Sequence, residues 1–316
     1  MRIFIAGATG VLGRSLVPKL LACGHSVAGT SSKAEGLQQL ERMGVEPVLM
    51  DGLNRDSVLA AVKAAHADVV VNQMTALANL RDYKNFDREF DLTNRLRRDG
   101  TSYLLEAAKA SGARRIVVQS FAGWPLQRGE APANPEETPF AEDLPASMQE
   151  SQNAMRQMEE MVVSSQSPAG VVLRYGFFYG PGTSFDVDGD TTQAVRKRGL
   201  PLVGGGTAIW SLIHIDDAAE ATRIAIESAP AGIYHVTDDH PASVREWLTG
   251  MAGILHAKQP RGVPAWIAKL FVGASGVYLM TQARGASNAK AKRVLHWNPA
   301  YPDWRQGFAA ALGRES

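Results

Sequence analysis

The chain has 316 residues, of which 45% are hydrophobic, and this is enough to bury a large core. Its 33 basic and 32 acidic residues leave a net charge of +1, so neither a nucleic acid nor an acidic membrane surface is expected as a partner. The single cysteine, Cys23, cannot form an intramolecular disulfide, and we expect it to be buried in a cytoplasmic protein.

Neither a cleavable leader nor a membrane span is expected. The first residues read as a strand, without a basic and then apolar leader. The longest apolar stretch, residues 265–280, is interrupted by Lys269 and by small residues, so it is too short and broken to cross a bilayer. We expect it to form a helix that covers a pocket.

Short apolar runs alternate with helix-period segments over the first two thirds of the chain. Because the predicted strands are continuous apolar runs, helices should cover both faces of their sheet. The repeated β-α-β units predict a doubly wound parallel α/β sheet with right-handed crossovers. The predicted strands are residues 2–6, 26–30, 46–50, 68–72, 115–120 and 170–174, and the helices between them are 11–23, 36–43, 55–65, a long stretch ending near 110, and 147–164.

A glycine-rich turn follows the first predicted strand and opens the first helix. It reads Gly7-Ala8-Thr9-Gly10-Val11-Leu12-Gly13. In this setting one glycine allows the tight turn, a second lets the backbone approach a pyrophosphate, and a third lets helix and strand pack closely. The helix N-terminus adds free N–H groups and a partial positive charge. These residues predict a Rossmann fold that binds a dinucleotide.

Two segments depart from the alternating pattern. Residues 128–145 are rich in proline and acidic residues and are predicted to form an exposed loop. After Gly180 the pattern is mixed, with a helix at 217–228 and a strand at 232–237. We therefore assign residues 1–175 to the dinucleotide-binding Rossmann domain and residues 176–316 mainly to a smaller substrate-binding lobe, whose strand near 232–237 returns to the sheet.

The G-x-x-G-x-x-G spacing with Thr9 resembles the extended branch of the short-chain dehydrogenase/reductase superfamily, the NAD-dependent epimerase/dehydratase-like family. Residues 173–182 (LRYGFFYGPG), 213–217 (IHIDD) and 287–299 resemble later segments of that family, so the likeness covers almost the whole chain. The resemblance implies a nicotinamide dinucleotide, with Asp51 against the adenine. The implied cofactor-binding positions are Gly7, Thr9, Gly10, Val11, Leu12, Gly13, Arg14, Ser31, Ser32, Lys33, Asp51, Gly52, Leu53, Gln73, Met74, Thr75, Gln119, Tyr175, Gly176 and Phe177.

The end of the second strand favours NADP(H) over NAD(H). Members that prefer NAD usually place an acidic residue there, on the ribose hydroxyls. Here the strand ends in Ser31, Ser32 and Lys33, and Arg14 follows the glycine turn. Hydroxyls and cations suit a 2′-phosphate. If Lys33 and Arg14 are only solvated surface charges, NAD(H) remains the alternative.

The family's Tyr-x-x-x-Lys pair, which supplies and tunes the proton during hydride transfer, is absent. Its two positions hold Ser151 and Met155, or Gln152 and Arg156 after a slip of one residue. We therefore do not carry over that activity unmodified. The candidate catalytic residues are Ser120, at the end of the fifth strand, and Tyr175, with Tyr179 and His214 as weaker substitutes; a structural role is the alternative for each.

Two substrate positions of the family's sugar-nucleotide epimerases hold aromatic residues here: Phe177 stands where they have an Asn, and Trp210 where they have a phosphate-binding Arg. Burying a pyrophosphate without partners would be costly, whereas an aromatic substrate would stack well. Core packing is the alternative. The predicted pocket comprises Phe121, Ala122, Phe177, Phe178, Trp210 and Arg284. No metal is expected, because the acidic stretch 186–190 lacks the glycine and glutamate of a calcium loop.

Together these features predict an atypical NADPH-dependent reductase, similar to ketoreductases that lack the Tyr/Lys pair. Its substrate would be a carbonyl of a hydrophobic, aromatic or polycyclic small molecule. Two alternatives stay open: an epimerase or dehydratase that holds its dinucleotide tightly, and a sensor that binds the dinucleotide without turnover. The chain is expected to be a monomer or a homodimer.

Overall fold

The computed structural model describes residues 1–77, 82–128 and 133–312. Its centre is a parallel sheet of seven strands, surrounded by helices and by short two-stranded pairings. The strands are, in chain order, β1 (Arg2–Ala6), β2 (Ser26–Ser31), β3 (Glu46–Leu49), β4 (Val69–Asn72), β5 (Arg115–Phe121), β6 (Ala133–Asn134), β7 (Ala169–Tyr175), β8 (Phe177–Tyr179), β9 (Leu202–Val203), β10 (Ile209–Trp210), β11 (Leu212–His214), β12 (Gly232–Val236), β13 (Ala242–Ser243), β14 (Gly262–Val263) and β15 (Gly285–Ala286).

The central sheet has the strand order β3-β2-β1-β4-β5-β7-β12. The order reverses between β1 and β4, and this is where a doubly wound sheet opens a crevice at the carboxyl ends of its strands. Every pairing in this sheet is parallel. The predicted doubly wound Rossmann fold is therefore confirmed.

Helices cover both faces of the sheet, as the continuous apolar strands require. One apolar core lies between the sheet and α1 and α8; a second lies between the opposite face and α3, α5 and α6. The helices are α1 (Val11–Ala22), α2 (Ala34–Arg42), α3 (Arg55–Ala65), α4 (Phe86–Arg95), α5 (Thr101–Ala110), α6 (Gln149–Val163), α7 (Asp190–Arg196), α8 (Ile215–Ser228), α9 (Val244–Ile254), α10 (Ala265–Thr281), α11 (Ala289–Leu295) and α12 (Trp304–Leu312).

A third apolar core is built largely from the C-terminal part of the chain. It contains buried residues of α9, α10 and α12, including Trp247, Tyr278, Trp304 and Phe308. The same C-terminal part also supplies β12, which pairs with β7 in the central sheet. The strand near 232–237 thus returns to the sheet.

Three local expectations differ from the structure. Cys23 is exposed, because it caps the C-terminus of α1 and points away from the core. The loop predicted at 128–145 is not uniformly exposed: residues 129–132 lie outside the described ranges, but Glu136 and Leu144 are buried under the sheet edge. The long helical stretch before residue 110 is interrupted by a π-helical turn at Leu96–Gly100.

Within the described ranges, no helix is both long and apolar enough to cross a membrane.

The contact between α6 and β7 leaves no room for a side chain at Gly170. A Cβ at this position would lie 1.9 Å from the carbonyl oxygen of Val162, the penultimate residue of α6. Gly253, near the end of α9, has no heavy atom within 4 Å of the corresponding position and is exposed. The two glycines therefore form a matched pair, in which only one is required by packing.

We predict that Gly170→Ala lowers the unfolding free energy by about 1–3 kcal/mol, because backbone must move to admit the methyl group. The matched variant Gly253→Ala should raise it by about 0.5–1 kcal/mol, since alanine is the better helix former. Thermal unfolding of the two variants and the parent measures both effects. Equal melting temperatures for Gly170→Ala and the parent would contradict the close approach of α6 to β7.

Asp238, two residues after β12, is a buried carboxyl. It is 1% exposed, and among the described residues its Oδ2 has no hydrogen-bond partner. Its Oδ1 accepts a hydrogen bond from the backbone N–H of His240 at 3.3 Å. Burial raises the pKa of this carboxyl to about 9, and the nearby charges of Asp303 and Asp239 act in the same direction. Asp238 is therefore protonated at neutral pH.

We predict that Asp238→Asn increases stability by an amount that grows with pH. The folded chain keeps a proton that the unfolded chain releases above about pH 4, so the unfolding free energy falls by up to about 1.4 kcal/mol per pH unit between about pH 4 and 9. The amide removes this dependence. Melting temperatures measured at pH 6 and pH 8.5 report the difference between variant and parent at each pH.

The neighbouring Asp239 provides the control. Its carboxylate binds Asn288 and Lys292, and these bonds hold the pKa of Asp239 below its usual range. Asp239→Asn should therefore lower the melting temperature by a similar amount at both pH values. If the melting temperatures of Asp238→Asn and the parent differ by the same amount at pH 6 and pH 8.5, Asp238 is not protonated in the folded protein.

Candidate functional site

The glycine turn brings the backbone of β1 close to that of β4. Gly7 has a φ of +85°, and a Cβ there would lie 2.9 Å from the carbonyl carbon of Gln73. A Cβ at Gly13 would lie 2.2 Å from the carbonyl oxygen of Ala8. Gly10 caps α1 without a side-chain hydrogen bond. The turn is therefore too crowded for side chains at Gly7 and Gly13, and the first N–H groups of α1 start from it. This arrangement is the form of a phosphate-binding turn.

The end of β2 lies beside this turn. The hydroxyl of Thr30 accepts a hydrogen bond from the N–H of Gly7 at 3.1 Å. The hydroxyl of Ser31 is held by the backbone of Lys33, from whose N–H it accepts and to whose carbonyl it donates. Ser32 and the side chain of Lys33 are exposed. This strand end thus presents one hydroxyl and one cation to solvent.

Arg14 lies on the other side of the turn. Its guanidinium donates a hydrogen bond to the carbonyl of Thr9 at 3.0 Å. It also borders Gly182, since a Cβ there would lie 2.8 Å from Nη2 of Arg14. The cation therefore joins the glycine turn to the loop after β8.

The ends of β3 and β4 supply the next predicted residues. The carboxylate of Asp51 accepts from the N–H of Leu53 at 2.9 Å and is exposed. Gly52 packs against Met74, because a Cβ there would lie 2.5 Å from its sulfur. Thr75, two residues beyond Gln73, is exposed. These residues follow β3 and β4, two strands of the same parallel sheet, so they lie at the carboxyl-end edge that carries the glycine turn.

Gln73 is the clearest opening for a ligand at this edge. Its side chain is 6% exposed, and among the described residues neither its amide nitrogen nor its amide oxygen has a hydrogen-bond partner. A buried amide without partners costs about 1–3 kcal/mol. It lies between the glycine turn and Tyr175. Its amide is near the hydroxyl of Tyr175 and lowers the pKa of that phenol, but the two groups do not form a hydrogen bond of normal length and angle. Together with the turn, it fits a dinucleotide lying along this edge.

The hydroxyl of Ser151, one of the two residues that the sequence aligns with the family's tyrosine, is fully engaged in hydrogen bonds within the protein. Ser151 is 0% exposed; it donates to the carboxylate of Asp87 at 2.6 Å and accepts from the amide of Asn94 at 3.0 Å. Met155, at the lysine position, is 0% exposed. The alternative pair is also occupied: the amide of Gln152 donates to two backbone carbonyls, and Arg156 packs over Phe140.

The hydroxyl of Ser120 points away from this edge, into a buried ionic cluster. It donates to Oε1 of Glu159 at 2.5 Å. Glu159 binds Arg174 through two hydrogen bonds, of 2.6 and 2.9 Å, and both side chains are 4% exposed. Successive strand residues face opposite sides of a sheet. Ser120 therefore faces the α6 side, and its neighbour Phe121 faces the crevice.

Tyr175, Tyr179 and His214 are also enclosed. The hydroxyl of Tyr175 hydrogen-bonds Thr222 of α8 at 2.7 Å, and burial raises its pKa well above the usual range. Tyr179 is 0% exposed, and burial raises its pKa similarly. Nδ1 of His214 accepts the N–H of Asp216 and so caps α8, while burial lowers the pKa of the imidazole. None of these groups is free to exchange a proton with a ligand.

The predicted aromatic pocket residues do come together. Phe121 packs edge-on against Phe177 with ring centroids 4.9 Å apart, and Phe177 stacks on Trp210 at 3.9 Å with an interplanar angle of 17°. All three are half-buried. We call Phe121, Phe177 and Trp210 the aromatic wall. Trp247, which the sequence did not single out, stacks behind Trp210 at 5.1 Å.

Two predicted pocket residues lie off the wall. Phe178 packs against Tyr175, with centroids 5.3 Å apart, because it follows Phe177 on β8 and points the opposite way. Ala122 is 1% exposed. Gly176, on the turn between β7 and β8, packs against the backbone of Ser211, and the side chain of Gln119 is half-buried in β5.

The chemistry available at the site is limited by these placements. The edge offers a phosphate cradle, an unpartnered amide and a flat aromatic surface. Within the described ranges, no three His, Cys, Asp or Glu side chains are grouped so that they could hold a metal ion. The carboxylate of Asp186, in the acidic stretch 186–190, accepts instead from the N–H groups of Gly182 and Val187. The site can orient a planar ligand, but the hydroxyls of Ser120, Ser151 and Tyr175 are engaged within the protein.

Comparison with known proteins agrees with the fold and the turn. Residues 3–236 match the model of the NAD dependent epimerase/dehydratase family. Over its full length the chain is 43% identical to the 3-diazoavenalumate denitrifying reductase of a Streptomyces species, with all of both chains covered. It is 29% identical to the 4-hydroxy-2-methyl-3-oxo-4-farnesyl-3,4-dihydroquinoline-1-oxide ketoreductase of Stigmatella aurantiaca, over 79% of this chain and 72% of that one.

A solved structure shares the whole fold. The Thermus thermophilus UDP-glucose 4-epimerase, in complex with NAD, superposes with a TM-score of 0.77 and 23% identity, covering 99% of this chain and 98% of that one. The chain belongs to the NAD-dependent epimerase/dehydratase family, in the extended branch of the short-chain dehydrogenases/reductases.

Proposed function

We propose that this protein is an NADPH-dependent reductase of aromatic small molecules that transfers a hydride without a protein side chain as proton donor. The observation that carries the proposal is the aromatic wall. Phe121 is the last residue of β5, and Phe177 lies two residues after the end of β7, so the wall stands at the same carboxyl-end edge of the sheet as the glycine turn. A planar ring stacked on Phe177 and Trp210 would lie beside that edge.

The residues of the edge fit NADP(H). The turn from Gly7 to Gly13 would hold the pyrophosphate, the amide of Gln73 would find its missing partners, and Lys33 with Ser32 would bind the 2′-phosphate. Bound there, the cofactor would supply a hydride. NAD(H) lacks the 2′-phosphate and would leave Lys33 without a partner.

The missing proton donor restricts the acceptor. A carbonyl that accepts a hydride becomes an alkoxide and must then gain a proton. An arenediazonium ion that accepts a hydride at the ring carbon becomes the arene and releases dinitrogen, so charge and atoms balance without any proton. Ser151, Ser120 and Tyr175 are all engaged within the protein. The site therefore favours a diazonium acceptor, in line with the full-length relative named for denitrifying 3-diazoavenalumate.

An aromatic ketone is the second candidate acceptor. The relative from Stigmatella aurantiaca is named a ketoreductase and also covers most of the chain. In that case water at the crevice would have to protonate the product. Since a positioned acid is usually worth about 10²–10⁴ in rate, ketone reduction here should be slow.

We predict that the protein reduces 4-hydroxybenzenediazonium to phenol with NADPH, and at least about 100-fold faster than it reduces 4-hydroxyacetophenone, because only the ketone needs a proton. At neutral pH this probe is the neutral diazoquinone, so hydride addition at the diazo carbon gives phenoxide and dinitrogen, and phenoxide takes its proton from bulk water rather than from a protein acid. With NADPH deuterated at the transferable position, the phenol should carry one deuterium at the former diazonium carbon. Mass spectrometry of the product, with dinitrogen release measured in parallel, checks both points. Faster turnover of the ketone would reject the diazonium acceptor, and no transfer to either would leave a non-catalytic dinucleotide sensor.

Paired tryptophan variants test the wall in the same assay. Trp210→Leu should raise KM for the aromatic acceptor about tenfold or more, since a stacked contact and its buried area are lost. Trp266→Leu is the matched control, because Trp266 is 71% exposed on α10 and should leave KM unchanged. Equal KM values for Trp210→Leu and the parent would remove the wall from the substrate site.

We predict that Lys33→Ala weakens NADPH binding by about 10- to 100-fold and changes NADH binding by less than about threefold, because a charge-assisted hydrogen bond to the 2′-phosphate is worth about 1.5–3 kcal/mol. Calorimetric titration of dinucleotide-free protein measures both affinities. Lys109→Ala, at the end of α5, is the control for loss of one surface charge. A parent that binds NADH as tightly as NADPH would contradict the cofactor assignment.

A further inference from the structure

One cation beside the aromatic wall has no acidic partner. Arg284 is half-buried as a residue, and its guanidinium donates a long hydrogen bond, 3.4 Å, to the carbonyl of Ala283. Among the described residues, no carboxylate lies within ion-pair distance of it. A partly desolvated guanidinium normally binds an anion or a cluster of carbonyls. Arg284 therefore retains most of its hydrogen-bonding capacity.

The segment that carries Arg284 touches both ends of the aromatic wall. A Cβ at Gly123 would lie only 3.3 Å from the carbonyl oxygen of Arg284, and Gly123 is two residues after Phe121. The carbonyl of Ala283 accepts the N–H of Ile209 at 2.9 Å, and Ile209 directly precedes Trp210. The backbone of Arg284 is thus fixed next to the wall, directly before β15 pairs with β6.

A second arginine on this side is already neutralised. Arg128 forms an ion pair with Asp143 and donates a hydrogen bond to the amide of Gln282 at 3.1 Å. Arg128 and Arg284 both lie near the buried hydroxyl of Tyr278, whose pKa their charges lower against the raising effect of burial. Of these two cations beside Tyr278, only Arg284 is left to bind an external anion.

We infer that Arg284 binds the carboxylate of an aromatic carboxylic acid whose ring stacks on Phe177 and Trp210. This inference rests on the proposed function and names its substrate class: a planar aromatic acid, with the ring on the wall and the anion on Arg284. A carboxylate suits the planar guanidinium, which binds it through two parallel hydrogen bonds. Arg284 is then the residue that selects acids over neutral aromatic compounds.

The test is a calorimetric titration of the full-length protein, in the presence of NADP⁺, with 4-hydroxycinnamate and with its uncharged methyl ester. The parent should bind the acid at least about tenfold more tightly than the ester, since hydrogen bonds between charged groups are worth about 1.5–3 kcal/mol. Arg284→Met keeps an unbranched side chain but removes the guanidinium, so it should abolish this preference, weakening the acid about 10- to 100-fold and leaving the ester unchanged. Arg128→Met, the control for a cation already paired, should weaken the acid less than about threefold.

The outcomes separate this inference from the proposal beneath it. If Arg284→Met binds the acid as tightly as the parent does, or if the parent binds the ester as tightly as the acid, Arg284 does not bind the carboxylate. Either result would leave the proposed role of the aromatic wall unaffected. If Trp210→Leu leaves the affinity of both compounds unchanged, or neither compound binds, the aromatic site itself fails. Loss of acid affinity in Arg284→Met, but not in Arg128→Met, supports carboxylate binding by Arg284.

Discussion

The buried ion pair between Arg174 and Glu159 is the constraint on which the rest of the site depends. It joins β7 to α6, and through Ser120 it also holds the end of β5. Nη1 of Arg174 reaches the carbonyl of Glu136, which anchors the loop before α6 to the same point. Removing one partner of such a pair typically costs about 3–5 kcal/mol, because the other charge is left buried. The carboxyl ends of the central strands are therefore set rigidly with respect to α6.

This rigidity explains why three candidate hydroxyls among the described residues are not available at the crevice. Ser120 is bound by Glu159, Ser151 is bound by Asp87 and Asn94, and Tyr175 is bound by Thr222. Each hydroxyl at or near a catalytic position of the family has become a structural hydrogen bond inside the protein. What remains at the crevice is the backbone of the glycine turn, an unpartnered amide and aromatic rings. Such a surface suits two flat molecules lying against each other, and this is the basis on which we propose hydride transfer without a protein acid.

The C-terminal part of the chain completes this surface. Trp210 is held by a hydrogen bond from its indole N–H to the carbonyl of Leu279 at 2.8 Å, and Trp247 stacks behind it. The second half of α10 therefore supports the wall. Its first half instead exposes Trp266, Leu270 and Phe271, so only part of the apolar stretch 265–280 covers the site. Gly273, with a φ of +68°, separates the two halves.

Several features were determined by local sequence. The alternation of apolar runs and helical segments predicted the parallel doubly wound sheet, because strand and helix periods are properties of consecutive residues. The glycine spacing predicted the turn for the same reason, and substitutions at aligned positions predicted that Phe177 and Trp210 share a surface. The sequence also predicts that the Tyr/Lys pair is missing, and this stays a prediction.

Other features were decided only by tertiary structure. Whether Ser120 faces the crevice or the α6 side depends on which face of β5 it occupies, and the sequence alone did not determine that face. The partners of Glu159, the third ring behind the wall at Trp247, the missing partners of Gln73 and the unpaired charge of Arg284 all depend on contacts between residues far apart in the chain. The exposure of Cys23 and the burial of Glu136 were predicted wrongly for the same reason. Local composition records what a residue tends to do, whereas burial and pairing are set by whichever distant segment packs against it.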